Sequence, residues 1–309
     1  MSLRLEMLQV ARLAPQLLHN SSDLIRQFVL GQLRDDGGFS DREGDSDLYY
    51  TVFGLESLLA LHEPLPDEKV ESIKSYLASF EDGSSLDLVH LACLARAHAD
   101  LNTLLNSTSD RRPLNALRPQ AKAFQSSDGG YANAPGSQTG TVYGCFLALG
   151  LDHDTAGPDS GTVEKEPLLS RDGVEEFLAS MATNGGGYAN ESNMRIGSTA
   201  ATAAAVAVAR HLGLAVSPDI APWLLDTCFR EGGFCASPLV GVPDLLSTAT
   251  ALHTLAALEF PFGTIQEICL DYIDTLWSSR GGFYGHWADD VLDCEYTYYG
   301  LLALGHLSL

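Results

Sequence analysis

Two carboxylates and a phenol crowd into D-C-E-Y, residues 293–296, which sets Asp293, Glu295 and Tyr296 within little more than one helical turn. Related groups recur. D-L-V-H places Asp87 three residues before His90, D-L-Y-Y-T places Asp47 ahead of Tyr49 and Tyr50, and D-L-L-S-T opens on Asp244. Carboxylates from Asp293, Glu295, Asp47 and Asp244, joined by the imidazole of His90, form an oxygen and nitrogen donor set for a divalent metal if the chain brings them together. The plainer reading is that Asp47, Asp87, Asp244 and Asp293 each cap a helix and answer its dipole. Arg42 and Arg195 are the cations near these groups. A planar guanidinium suits phosphate oxygens, although Arg42 sits in S-D-R-E-G-D with acids to pair with on both sides. Tyr49, Tyr50, Tyr143, Tyr296, Tyr298 and Tyr299 either pack in a core or line an apolar cavity with polar tips.

The elements that must position these residues repeat. Glycine, glycine and an aromatic recur at Phe39, Tyr131, Tyr188, Phe234 and Phe283, at intervals of 92, 57, 46 and 49 residues. The first interval is twice the third, and E-D-G-S-S-L-D around Gly83 fills the gap as a degenerate copy, so six copies are expected. A helix-capping residue follows ten positions after the aromatic at Thr141, Ser198, Asp244 and Asp293, and eight after it at Asp47, with Asp87 assigned in the degenerate copy. The runs after these caps are apolar on nearly every face, which predicts buried helices. An amphipathic stretch such as D-E-K-V-E-S-I-K-S-Y-L precedes each glycine pair and predicts an outer helix ended by glycine. Six outer helices alternating with six inner ones predict an all-α fold, an α/α toroid with all six caps at one mouth. Closing the ring puts Asp244, Asp293, Asp47 and Asp87 on one arc. The small residues from Ala200 to Ala209 leave space in the lumen. Residues 1–20 are expected to form an N-terminal helix and 21–309 a single toroid domain of six helical hairpins. The Gly-, Pro- and Asp-rich stretch 150–170 is expected to be a surface excursion.

With 18 Lys and Arg against 40 Asp and Glu, the net charge of −22 excludes a nucleic-acid partner, which needs clustered cations. No run of apolar residues is long enough to predict a membrane span. The six cysteines are scattered with no C-x-x-C pair, so a reducing cytoplasm is the simplest setting.

These repeats, above all G-G-F-S-D-R-E-G-D-S-D-L-Y-Y-T and G-G-F-Y-G-H-W-A-D-D-V-L-D-C-E-Y-T-Y-Y-G, resemble those of protein prenyltransferase β subunits, whose superfamily includes the squalene and terpene cyclases. The Rab-type geranylgeranyl transferase β subunit is the nearest in flavour. The resemblance implies an apolar funnel, an isoprenoid diphosphate, a catalytic zinc near one mouth, and a helical α-subunit-like partner or a homodimer. That family draws zinc ligands from an Asp-x-Cys followed by Tyr and from an Asp-x-x-His. Asp293 and Tyr296 match the first, with Glu295 in place of the cysteine. Asp47 matches the second, with Tyr50 in place of the histidine, while Asp87 and His90 match it fully. The resemblance thus assigns catalysis to Asp293, Tyr296 and Tyr50. It assigns substrate contacts to Arg42, Arg195, Tyr49, Tyr143 and Tyr299, and zinc or magnesium to Asp293, Glu295, Asp47, Asp244 and His90. The expected function is prenyl transfer. The alternatives are a catalytically silent toroid that binds a protein or lipid, and a small terpene-cyclase-like enzyme.

Overall fold

The structure, a computed structural model, describes residues 2–105, 112–156 and 166–309. The inner helices are α4 (Leu48–Ala60), α6 (Leu88–Leu104), α8 (Val142–Thr155), α10 (Thr199–His211), α12 (Leu245–Ala257) and α14 (Cys294–Leu307). The outer ones are α3 (Ser22–Gly31), α5 (Asp67–Ala78), α7 (Arg112–Ala121), α9 (Arg171–Met181), α11 (Ile220–Asp226) and α13 (Gln266–Thr275). Each inner helix packs on the next, and α14 packs back on α4, so the ring closes as an α/α toroid. No helix among the described residues is long and apolar enough to cross a membrane. Part of the expected excursion at 150–170 is helical, because α8 runs to Thr155, while residues 157–165 lie outside the described residues.

The first N–H groups of a helix have no partner within it. Here all six inner helices solve this in the same way. Asp47, Asp87, Thr141, Ser198, Asp244 and Asp293 are extended and accept from the N–H of a residue two or three positions on. The next repeat supplies a second partner in four cases: Leu88, Val142, Thr199 and Leu245 donate their N–H groups to the carbonyls of Asn133, Asn190, Ala236 and Gly285. In two of the four copies with the ten-residue offset, aromatic and cap face each other in a β-bridge. Phe234 faces Asp244 across the short ladder of β3 (Phe234–Cys235) and β4 (Pro243–Asp244), and Tyr131 bridges Thr141. In the first copy the eight-residue offset arises the same way, with Phe39 opposite Asp47 in β1 (Phe39–Ser40) and β2 (Ser46–Asp47). A threonine four residues after the cap fastens this turn to its helix, since Thr51, Thr202 and Thr248 accept from the N–H groups of Phe39, Tyr188 and Phe234 at 2.9–3.0 Å.

The glycines owe their place to close approach. Gly281 has φ +93°, and a Cβ there would stand 2.1 Å from the carbonyl oxygen of Leu24 on α3, the first outer helix. That contact joins the sixth repeat to the first. The far end of the lumen is closed by α1 (Leu3–Ala11), which packs against α14, α4 and α8 and buries Leu3, Leu8 and Ala11; α2 (Pro15–Leu18) leads from it toward α3.

Gly281→Ala should lower stability in urea unfolding by at least about 1 kcal/mol more than Gly136→Ala. Both have positive φ, but the Gly136 Cβ meets open space and incurs only the backbone cost of about 1–2 kcal/mol. Equal losses would show that the ring does not close through Gly281.

Candidate functional site

The inner helices enclose a cavity of roughly 340 Å³. Tyr49, Val52, Phe53, Phe146, Leu147, Tyr143 and Tyr299 line it, and α10 presents only Ala200, Ala203, Ala204 and Ala207, which is where the space comes from. Tyr49, Tyr143 and Tyr299 therefore share one chamber. Burial pushes all three phenols above their ordinary range, so they are neutral.

At the rim, repeats six and one are locked together. Arg42 donates from Nε to Asp293 Oδ2 at 2.7 Å and from Nη2 to Asp289 Oδ2 at 2.8 Å, and its guanidinium lies 5.2 Å from the centre of the Tyr296 ring. Beside this pair Tyr49 donates its hydroxyl to Glu295 Oε1 at 2.6 Å. Burial raises Glu295 to about 7, with the neighbouring Asp293 adding to the shift, while the Tyr49 bond and Arg42 oppose it. Burial also raises Asp293 and Tyr50. Glu295 is thus a carboxylic acid that holds its proton to near neutrality, one hydrogen bond from the cavity wall.

The other rim residues form separate groups. His90 stands between Asp87 Oδ1 at 2.8 Å and Asp47 Oδ2 at 3.6 Å. Its bond to Asp47, backed by Asp87, outweighs burial and raises it to about 9. Asp244 keeps to its own helix, accepting from the Ser247 N–H and hydroxyl at 2.7 Å, and burial raises it. Arg195 is exposed on the loop before α10 and has no hydrogen bond or ion pair to any described residue.

The family is decided by the match of the chain at residues 5–90 and 160–308 to the prenyltransferase alpha-alpha toroid domain. The chain belongs to this family. No curated protein matches it by sequence. Solved structures of similar shape include the GH76A alpha-1,6-mannanase of Salegentibacter sp. HEL1_6, with TM-score 0.58 and 13% identity over 93% of this chain and 98% of that one. An inactive variant of the same mannanase in complex with alpha-1,6-mannotriose matches with TM-score 0.58 and 13% identity over 94% of this chain and 98% of that one. The likeness is one of fold.

The expected prenyl transfer, and with it the Rab-type geranylgeranyl assignment, is corrected here. The solved structures of similar shape named above are alpha-1,6-mannanases, not prenyltransferases, and the rim is not built for an isoprenoid diphosphate. Arg42, expected to take the phosphates, is occupied by Asp289 and Asp293. Nor does the donor set fit zinc or magnesium. No group of three or more His, Cys, Asp or Glu among the described residues is placed to hold a metal ion. Asp293 is already paired with Arg42, Asp47 and Asp87 close on His90, and Asp244 is bonded within its own helix. Cys294, one residue from the family's cysteine position, is fully buried. Asp289 and Asn133, which bonds Asp87 at 3.0 Å, escaped the sequence reading because only the folded ring brings them to Arg42 and Asp87.

A carboxyl raised from 4.5 to about 7 contributes stability below its unfolded value and loses it as pH rises through 7. Between pH 4.5 and 7.5 the wild type should therefore lose about 2–3 kcal/mol relative to Glu295→Gln, read by urea unfolding at each pH. For His90, also raised, the sign is the same but the window higher: stability is present below about 6.5 and lost through about 9. Its imidazole resonance should titrate near 9; a midpoint below 7 would mean that Asp47 and Asp87 do not hold it.

Proposed function

We propose that the protein hydrolyses the bond between a neutral, hydroxyl-bearing group and an apolar one, as in a glycoside with an apolar aglycone, with Glu295 as the general acid. The observation that carries this is the carboxyl of Glu295, raised to about 7 by burial at the boundary between an acidic rim and an apolar cavity. The apolar part of such a substrate suits the aromatic and alanine walls. The hydroxyl-bearing part suits the rim, where carboxylates and phenols accept and donate hydrogen bonds. A net charge of −22, with Arg42 at the rim already paired to Asp289 and Asp293, disfavours an anionic substrate there. The mannanases of similar fold act on glycosidic bonds, which is in keeping with this class of reaction.

Glu295 Oε1 accepts from Tyr49, which leaves Oε2 to carry the proton. Transfer to the bridging oxygen lets the C–O bond break as the positive charge on the sugar ring grows; water then adds to the ring carbon and returns its proton to the Glu295 carboxylate, which restores the acid. The rim carboxylates oppose that developing charge with fixed negative charge. The scattered cysteines, none in a C-x-x-C pair, are in keeping with a reducing, cytoplasmic setting.

The test is release of the alcohol from a panel of alkyl glycosides in which the sugar varies and the chain does not. Hydrolysis should fall tenfold per pH unit above about 7, and Glu295→Gln should lower kcat about 10²–10⁴-fold with KM nearly unchanged. Hydrolysis by the wild type of none of the panel, or an undiminished kcat in the variant, would falsify the reading.

A further inference from the structure

The lumen is apolar along its walls but ends in charge. Glu56, Arg96 and Asp154 all line the cavity at the end that α1 closes. Behind them Arg4 donates to Asp100 at 2.7 Å and lies 3.3 Å from Asp154. Burial raises Glu56 and pushes Asp100 well above the usual carboxylate range. Burial also works against the charge of Arg96, yet Asp154 and Glu56 outweigh it and keep the guanidinium cationic.

Arg96 is incompletely used. Its Nε stands 3.3 Å from Asp154 Oδ2 and its Nη1 3.5 Å from Glu56 Oε1, both long for charge-assisted bonds. Its Nη2 makes no hydrogen bond to any described residue. Gly150, also on the cavity wall, keeps the space in front of this nitrogen clear: a Cβ there would stand 3.1 Å from Nη2. A guanidinium donor at the end of a cavity whose walls are mostly aromatic and aliphatic is a directed recognition group.

We propose that the closed end of the funnel is a second recognition site, in which Arg96 Nη2 binds an oxygen acceptor at the distal end of the ligand's apolar chain. This rests on the reading that the funnel takes an apolar chain. It makes the ligand polar at both ends, with its head at the rim and an oxygen at the floor. In a funnel that is apolar throughout, a terminal hydroxyl weakens binding, because it is stripped of water without a partner. Here the sign reverses, since the hydroxyl accepts from Arg96 Nη2 and can donate in turn to Glu56 or Asp154.

Displacement of an apolar fluorophore from the lumen tests this, with decanol compared against the decane diol that carries a hydroxyl at each end. In the wild type the diol should bind about tenfold more tightly than decanol. Gly150→Ala should cut that preference to about twofold or less with decanol binding unchanged. It should fold, because the new methyl meets only the tips of the Arg96 and Leu3 side chains. Arg96→Met should abolish the preference. A diol that binds no better than decanol, or a preference that survives both substitutions, overturns the proposal while leaving the apolar funnel intact. If decanol itself fails to displace the probe, the funnel reading falls and this proposal with it.

Discussion

Six helix N-termini meet at one rim, and each presents N–H groups that must find acceptors outside the helix. The fold is organised around that requirement. A cap side chain takes one N–H at every inner helix, and the loop of the next repeat takes another in four of the six. Each repeat is therefore incomplete without its neighbour, and a ring is the arrangement that leaves no repeat without one. The same requirement makes the rim acidic. Four of the caps are aspartates, drawn to the positive ends of the helices, and they fall on adjacent repeats.

Concentrating carboxylates in this way has a consequence for their protons. Each has to find a cation, a set of N–H groups or a proton of its own. Asp47 and Asp87 share His90, and Asp293 and Asp289 share Arg42. Glu295 has only a phenol and lies half-buried beside Asp293, so it keeps its proton. The cation that relieves Asp293 does not reach it. The chemistry of the rim follows from this unequal distribution of partners rather than from any single residue type. The floor of the lumen shows the same logic in reverse, with Arg4 and Arg96 set among three buried acids.

The fold was legible in the sequence because its determinants are local. The glycine pair, the aromatic and the cap belong to one short turn, ten residues from aromatic to cap in four copies and eight in the first, so their spacing survives as a visible period. Even the degenerate copy at Gly83 and Asp87 could be placed. The site was less legible because its partners meet across the seam of the ring. Arg42 has Asp41, Glu43 and Asp45 beside it in sequence, yet it pairs with Asp289 and Asp293. Which acid stays protonated depends on burial and on those distant partners, and neither is written in the local pattern. The resemblance to prenyltransferase β subunits led correctly to the toroid and wrongly to its chemistry. Glu295 in the cysteine's place was the visible sign of that divergence. One further signal was present and passed over: Glu56, Arg96 and Asp154 interrupt otherwise apolar inner helices, where a charge has to be paired or functional.

The central claim is that Glu295 holds a proton near neutral pH. Carboxyl resonances of protein labelled with ¹³C at the glutamate side chains, titrated for the wild type and for Glu295→Gln, read this directly. The account predicts one resonance with a midpoint near 7 that is missing from the variant. A Glu295 resonance that titrates near the ordinary glutamate value of about 4.3 would contradict it.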